Sequence, residues 1–272
     1  MILYFSGTGN SLAIARQLSE QLDERLMPLV EAVNQDLTNE KRIGLVLPTY
    51  DFNMPLAVRT LVPQLRISPK AYVFAVITCG GQVGNTIWTL RRLLHKQGVK
   101  LAYSHKISLP DNSALAFGRN PNLQTKKFER VPARIEQIVS DLQAERHVLH
   151  YSWFSFFSWI MGLPAMERGM IRTLGPQVNP DKCIGCNTCV RICPMNNISL
   201  QQRSDLIVER SNSVSGLTGK ANQVALIGDN CTACLACVHV CPQQAVSTNG
   251  RKTLKERQYR HPDIKLKDLI KR

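Results

Sequence analysis

At 272 residues the chain is long enough for one large and one small domain. Its 34 Lys and Arg against 20 Asp and Glu leave a formal charge of +14, shared between 1–150 (18 against 12) and 151–272 (16 against 8). That balance serves solubility by default, or else steers the chain towards an acidic partner or an anionic membrane surface, and no nucleic-acid motif accompanies it, so nucleic acid is not expected.

The chain opens on an apolar strand, Met1–Phe5, running directly into Ser6-Gly7-Thr8-Gly9-Asn10-Ser11 and then a helix with Leu12, Ile14, Ala15, Leu18 and Leu22 at helical spacing. A strand, a turn rich in glycine and hydroxyls, and a helix N-terminus make an anion site. Backbone N–H groups and the hydroxyls of Ser6, Thr8 and Ser11 can cradle a phosphate without a lysine. There is no Gly-Lys-Ser/Thr ending and no Gly-x-Gly-x-x-Gly, which excludes the common nucleotide loops.

Further strands are expected at Lys41–Leu47, Ala71–Thr78 and Lys100–Leu109. The first of these ends in Thr49-Tyr50-Asp51-Phe52-Asn53, the second in Thr78-Cys79-Gly80-Gly81-Gln82-Val83-Gly84, and each is followed by an amphipathic helix. All these loops lie at the carboxyl ends of strands. Residues 110–124 show no strong period and read as a long loop, and Lys127–Leu142 reads as a closing helix. Tyr151–Leu163 carries two tryptophans and three phenylalanines but is too short to span a bilayer; packing between domains is preferred over an interfacial membrane anchor.

Two cysteine runs follow: Cys183, Cys186, Cys189, Cys193 with Pro194, then Cys231, Cys234, Cys237, Cys241 with Pro242. Each is Cys-x2-Cys-x2-Cys-x3-Cys-Pro, the ligand spacing of a two-cluster bacterial ferredoxin. Three closely spaced thiolates wrap one cuboidal cluster, while the fourth leaves on a helix and reaches the other. Cluster one is therefore assigned to Cys183, Cys186, Cys189 and Cys241, and cluster two to Cys231, Cys234, Cys237 and Cys193. Zinc would take four ligands, not two interlocked sets of four. With eight of nine cysteines so used, and Met1 running into apolar residues without a basic leader or cleavage site, a reducing cytoplasm is expected. Between the runs, Ile207–Glu209 and Val224–Ile227 read as strands of an inserted hairpin, and 249–272, with nine Lys and Arg against three Asp and Glu, reads by default as a solvated tail, docking being the alternative.

Residues 1–147 resemble flavodoxins and residues 178–248 resemble a two-4Fe-4S ferredoxin, joined by a linker over 148–177 and followed by a basic tail over 249–272. The resemblance implies an α/β doubly wound parallel sheet in the flavodoxin-like order 2-1-3-4-5, followed by an α+β two-cluster ferredoxin domain. It implies FMN between the first and third strands. Ser6, Gly7, Thr8, Gly9, Asn10 and Ser11 would hold the phosphate. Thr49, Tyr50, Asp51, Phe52 and Asn53 would cover one face of the ring, with Tyr50 stacking and Phe52 second. Thr78, Cys79, Gly80, Gly81 and Gly84 would run past its pyrimidine edge, where the glycines let backbone N–H groups approach. The function implied is electron transfer between two 4Fe-4S clusters and FMN, with a ferredoxin or flavodoxin as outside partner; a flavin-dependent reductase of a small molecule or quinone is the alternative. Electron transfer of this kind requires no acid–base residue. Cys79 reads as a buried small hydrophobe in preference to a redox thiol.

Overall fold

The computed structural model describes residues 1–115, 120–152, 164–204, 222–248 and 255–270. Five parallel strands form the main sheet: β1 (Ile2–Tyr4), β2 (Leu26–Pro28), β3 (Arg42–Pro48), β4 (Tyr72–Cys79) and β5 (Leu101–Ser108). Their spatial order is β2-β1-β3-β4-β5. This is the flavodoxin-like arrangement, with its chain reversal between β1 and β3. Nearly every residue of β3 and β4 is apolar because helices cover both faces of the sheet.

Helices α1 (Asn10–Leu22) and α4 (Val131–Gln143) cover one face, where Ile14, Leu18, Ile135, Ile138 and Leu142 pack on Val46, Phe74 and Val76. Helices α2 (Leu56–Leu61) and α3 (Thr86–His95) cover the other, against Leu3, Leu45, Leu47, Ala75 and Ile77. Two of these elements depart from expectation. β2 is a half-buried edge strand of three residues, too short to show alternation in the sequence. The 110–124 stretch is no irregular loop throughout: 3-10 turns occupy Asn112–Leu115 and Pro121–Arg130, the latter started by Pro121 and by Asn120, whose side chain accepts from the amide of Asn122. The closing helix accordingly starts at Val131.

In the C-terminal half, β6 (Pro176–Val178) pairs antiparallel with β9 (Val246–Thr248), and β7 (Ile198–Gln202) with β8 (Gln223–Ile227). β8 therefore pairs with β7; Ile207–Glu209, the other strand expected of the hairpin, lies outside the described residues. Short helices α5 (Thr188–Ile192) and α6 (Ala236–Val240) leave the two cysteine loops. The loops repeat one backbone path: positive φ occurs at Gly185, Asn187 and Asn196 in the first and at Ala233, Leu235 and Gln244 in the second.

The C-terminal segment is docked, with Tyr259, His261 and Ile264 buried. Ile264 packs on Leu12 and Ala13 of α1, and Arg16 pairs with Asp268. Its many charges face outward while three isolated side chains anchor it, an arrangement without a sequence period. Trp153, Phe157 and Trp159, the expected packing residues between the domains, lie outside the described residues.

Candidate functional site: two cysteine quartets beside a three-loop pocket

The eight cysteines of the two runs sort into two cavities. One is lined by Cys183, Cys186, Cys189 and Cys241, the other by Cys231, Cys234, Cys237 and Cys193. The fourth cysteine of each run thus stands with the other run's three. Burial pushes the Cys189 thiol up to about 11 and the Cys234 thiol up to about 12, and neighbouring cysteines of the same quartet push in the same direction. Four such thiols crowd together as thiolates only around a cationic centre, which iron supplies. Among the described residues no three His, Cys, Asp or Glu converge closely enough to grip a single ion; the thiols surround a space instead. Backbone amides point at the sulfurs: Asn197 N donates to Cys193 Sγ at 3.3 Å and Ala245 N to Cys241 Sγ at 3.2 Å, at equivalent places in the two repeats. The donor set fits two 4Fe-4S clusters. Cys186 is exposed and Ile184 is 52% exposed, whereas Cys234 and Cys237 are buried.

The three loops of the α/β domain meet in a second pocket, lined by Ser6, Gly7, Thr8, Asn10, Ser11, Thr49, Tyr50, Thr78, Cys79 and Gly80. Pro48, Pro110, Asp111 and Asn112 complete it, the last three from the stretch after β5 that the sequence reads as a long loop near the flavin edge. Gly9 is the N-cap of α1 with φ of 99°, so the chain turns sharply and presents the helix N-terminus to the pocket. The hydroxyls are mutually bonded: Ser11 Oγ lies 2.8 Å from Thr78 Oγ1, and Thr49 Oγ1 lies 2.9 Å from Thr86 Oγ1. Helix amides and hydroxyls together suit a phosphate monoester.

The remaining expected residues serve differently. Tyr50 and Asn53 exchange two backbone hydrogen bonds of 2.9 Å around Asp51 (φ 49°) and Phe52 (φ 60°), which is a type I′ turn without glycine. Asn53 Oδ1 accepts from Met54 N and from Thr89 Oγ1, so its side chain is structural. Gly84 (φ 50°) packs under that turn, where a Cβ would sit 2.0 Å from the Phe52 carbonyl oxygen. Gly81 faces away from the pocket, into a separate groove. The free space among the loops is about 30 Å3.

Electrostatics mark two groups here. Burial, then Asp111, raises the Asp51 carboxyl above its ordinary value. Burial also raises Cys79, which holds it as a protonated thiol and supports a packing role.

The second cysteine loop abuts this pocket. A Cβ on Gly7 would meet the Cys234 carbonyl oxygen at 2.9 Å and the Tyr50 hydroxyl at 3.2 Å. Thr232 Oγ1 accepts from Ala57 N at 3.4 Å, at the start of α2. The C-terminal segment seals the junction: Tyr259 OH donates to Asn10 Oδ1 at 2.6 Å, His261 N to the Thr8 carbonyl at 2.9 Å, and Gln258 Nε2 to the Cys241 carbonyl at 2.8 Å. Among the described residues, no helix is long and apolar enough to cross a membrane.

A family model described as a 4Fe-4S dicluster domain matches residues 182–245. No curated protein matches the chain. Solved structures similar to it include a Fusobacterium nucleatum flavodoxin bound to flavin mononucleotide (15% identity, 53% of this chain and 96% of that one, TM-score 0.37) and an archaeal flavodoxin (16%, 48% and 96%, 0.33). Another is the rubredoxin:oxygen oxidoreductase of Desulfovibrio gigas (16%, 53% of this chain and 36% of that one, 0.37). At these scores the likenesses add no weight to the strand order, which itself defines the N-terminal fold. The chain is a flavodoxin-like α/β domain fused to a C-terminal 4Fe-4S dicluster domain of the ferredoxin type.

Proposed function

We propose that the protein carries electrons between an outside redox protein and an FMN held in the three-loop pocket, by way of its two clusters. The observation that carries this reading is the contact of the Cys234 loop with Gly7 and Tyr50, which sets one cysteine quartet against the pocket wall. The other quartet reaches the surface at Cys186, where Lys182 and Arg191 are exposed on the same run and suit an acidic ferredoxin or flavodoxin as partner. Clusters supply one-electron carriage and a flavin supplies two-electron storage. The chain's own part is to fix their order: Cys183, Cys186, Cys189 and Cys241 outermost, then Cys231, Cys234, Cys237 and Cys193, then the loops of Ser6–Ser11 and Thr49–Asn53. Free thiolates and oxygen-sensitive clusters suit a reducing cytoplasm.

A second reading, flavin-dependent reduction of a small molecule or quinone, is favoured by one feature: Asp51, whose raised carboxyl stands beside the pocket and can hold a proton. Anaerobic titration of the reconstituted protein with dithionite, followed by a panel of acceptors, decides between the two. Oxidation by redox proteins alone supports the carrier, and turnover with one small acceptor supports the reductase. Absence of flavin from the reconstituted protein overturns both.

A further inference from the structure

On the other side of the β4 loop from the pocket lies a groove of about 750 Å3. Its floor is the carboxyl end of β5, His105–Ser108, and its rim is the Pro121–Arg130 turn and the first turns of α4. Lys106, Lys126, Lys127, Arg130 and Arg134 bring five cations to it, against one carboxylate among its described lining residues, Glu129. Arg134 donates to the neutral Gln137 at 2.9 Å, and Lys127 Nζ to the Leu109 carbonyl at 3.2 Å and the Gly80 carbonyl at 2.6 Å. Among the described residues, Lys106, Lys126, Arg130 and Arg134 form no ion pair with a carboxylate. Like charges gathered around a concavity repel one another, and an anion drawn in between them relieves the repulsion.

We propose that this groove binds a small organic polyanion, a molecule carrying two or more phosphate or carboxylate groups. The volume is that of a small-molecule site, and its concavity disfavours the flat face of a protein. Arg130 and Arg134 offer planar forks that match phosphate or carboxylate oxygens two at a time. The groove and the three-loop pocket share a wall: Gly80 lines the pocket, and Gly81 lines the groove with open space at its Cβ position. Lys127, on the groove side, holds that wall through the Gly80 carbonyl. A bound anion is thereby one backbone thickness from the pocket. The binding itself stands without the flavin reading; only its bearing on electron transfer rests on that reading.

Isothermal titration of the reconstituted full chain with tripolyphosphate, and separately with citrate, tests the proposal. Arg130 and Arg134 are exposed, so the Arg130→Gln, Arg134→Gln double variant keeps the fold, which iron and flavin content verify. The expected result is saturable binding of at least one probe, weakened about tenfold or more in that variant. The exposed pair Lys96→Gln, Lys100→Gln, on the turn leading into β5 at the opposite end of that strand, should leave it unchanged. Preference for tripolyphosphate assigns a phosphorylated ligand, and preference for citrate a polycarboxylate. Binding of neither probe, equal weakening in both double variants, or groove-dependent binding of an acidic flavodoxin alone overturns it. Loss of flavin with retained anion binding would count against the electron-transfer reading only.

Discussion

The side-chain amide of Asn112 donates to the carbonyl oxygen of Cys234 at 3.2 Å, tying the segment after β5 to the second cysteine loop. The carbonyl of the same residue meets His239 Nε2 at 3.1 Å, and Tyr259 N donates to His239 Nδ1, so the imidazole carries its hydrogen on Nε2. One residue thus links pocket, cluster loop and C-terminal segment. Asn112→Ala should cost about 1 kcal/mol of stability. It should also slow cluster-to-flavin transfer in rapid-mixing traces at unchanged iron content. Unaltered traces would show that this contact does not set the gap.

The crossed quartets predict about eight iron and eight sulfide per chain. Cys193→Ala should remove the cluster of Cys231, Cys234 and Cys237, halving the iron. Mössbauer and EPR spectra identify which cluster survives; loss of the Cys183 cluster instead would refute the crossing.

For the pocket, FMN should bind more tightly than riboflavin, because the α1 N-terminus and hydroxyls address the phosphate. Thr8 is buried at the loop. Thr8→Glu, which sets a carboxylate against that phosphate, should abolish the difference in fluorescence titrations. Equal affinities in the unaltered protein would mean the loop is not a phosphate site.

Asp51 and Phe52 hold a left-handed backbone that glycine adopts freely. Phe52 is also 41% exposed, so only part of its side chain is packed. Phe52→Gly should stabilise the chain by about 1 kcal/mol in denaturant titrations. If Phe52 covers the flavin, the same change weakens FMN binding, and the opposed signs separate a functional strain from a merely tolerated one.

His105 is buried beside Tyr103 and His150, and burial first, then His150, pushes it from 6.5 to about 4. The unfolded chain takes up this proton first as the pH falls. The stability is therefore complete above about pH 6.5 and is lost on acidification towards pH 4. The full effect is about 3 kcal/mol. Denaturant midpoints at pH 7 and 4.5 should differ less in His105→Gln than in the parent chain; an unchanged difference would assign the acid sensitivity to other groups.

Much of this was legible in the residues because the signals were local. The apolar runs of β3 and β4 and the spacing of eight cysteines each lie within a short stretch. The Ser6–Ser11 turn directly abuts the helix it caps. What escaped was built from distant or isolated pieces. β2 has three half-buried residues and no pattern. Asn112 meets Cys234 across more than a hundred residues, and Lys106, Arg130 and Arg134 form a groove only once β5 and α4 are side by side. Tyr259 and Ile264 stand alone among charges. Only the fold shows that they are anchors.

The crossing of Cys193 and Cys241 also closes the chain on itself. With iron and sulfide in place, the stretch between the two runs is a loop fastened at both ends by metal–sulfur bonds. A single proteolytic nick within that loop would leave both fragments bound in one native particle. They would part on a denaturing gel, or when oxygen dismantled the clusters, so the metal centres act as the molecule's rivets as well as its conductors.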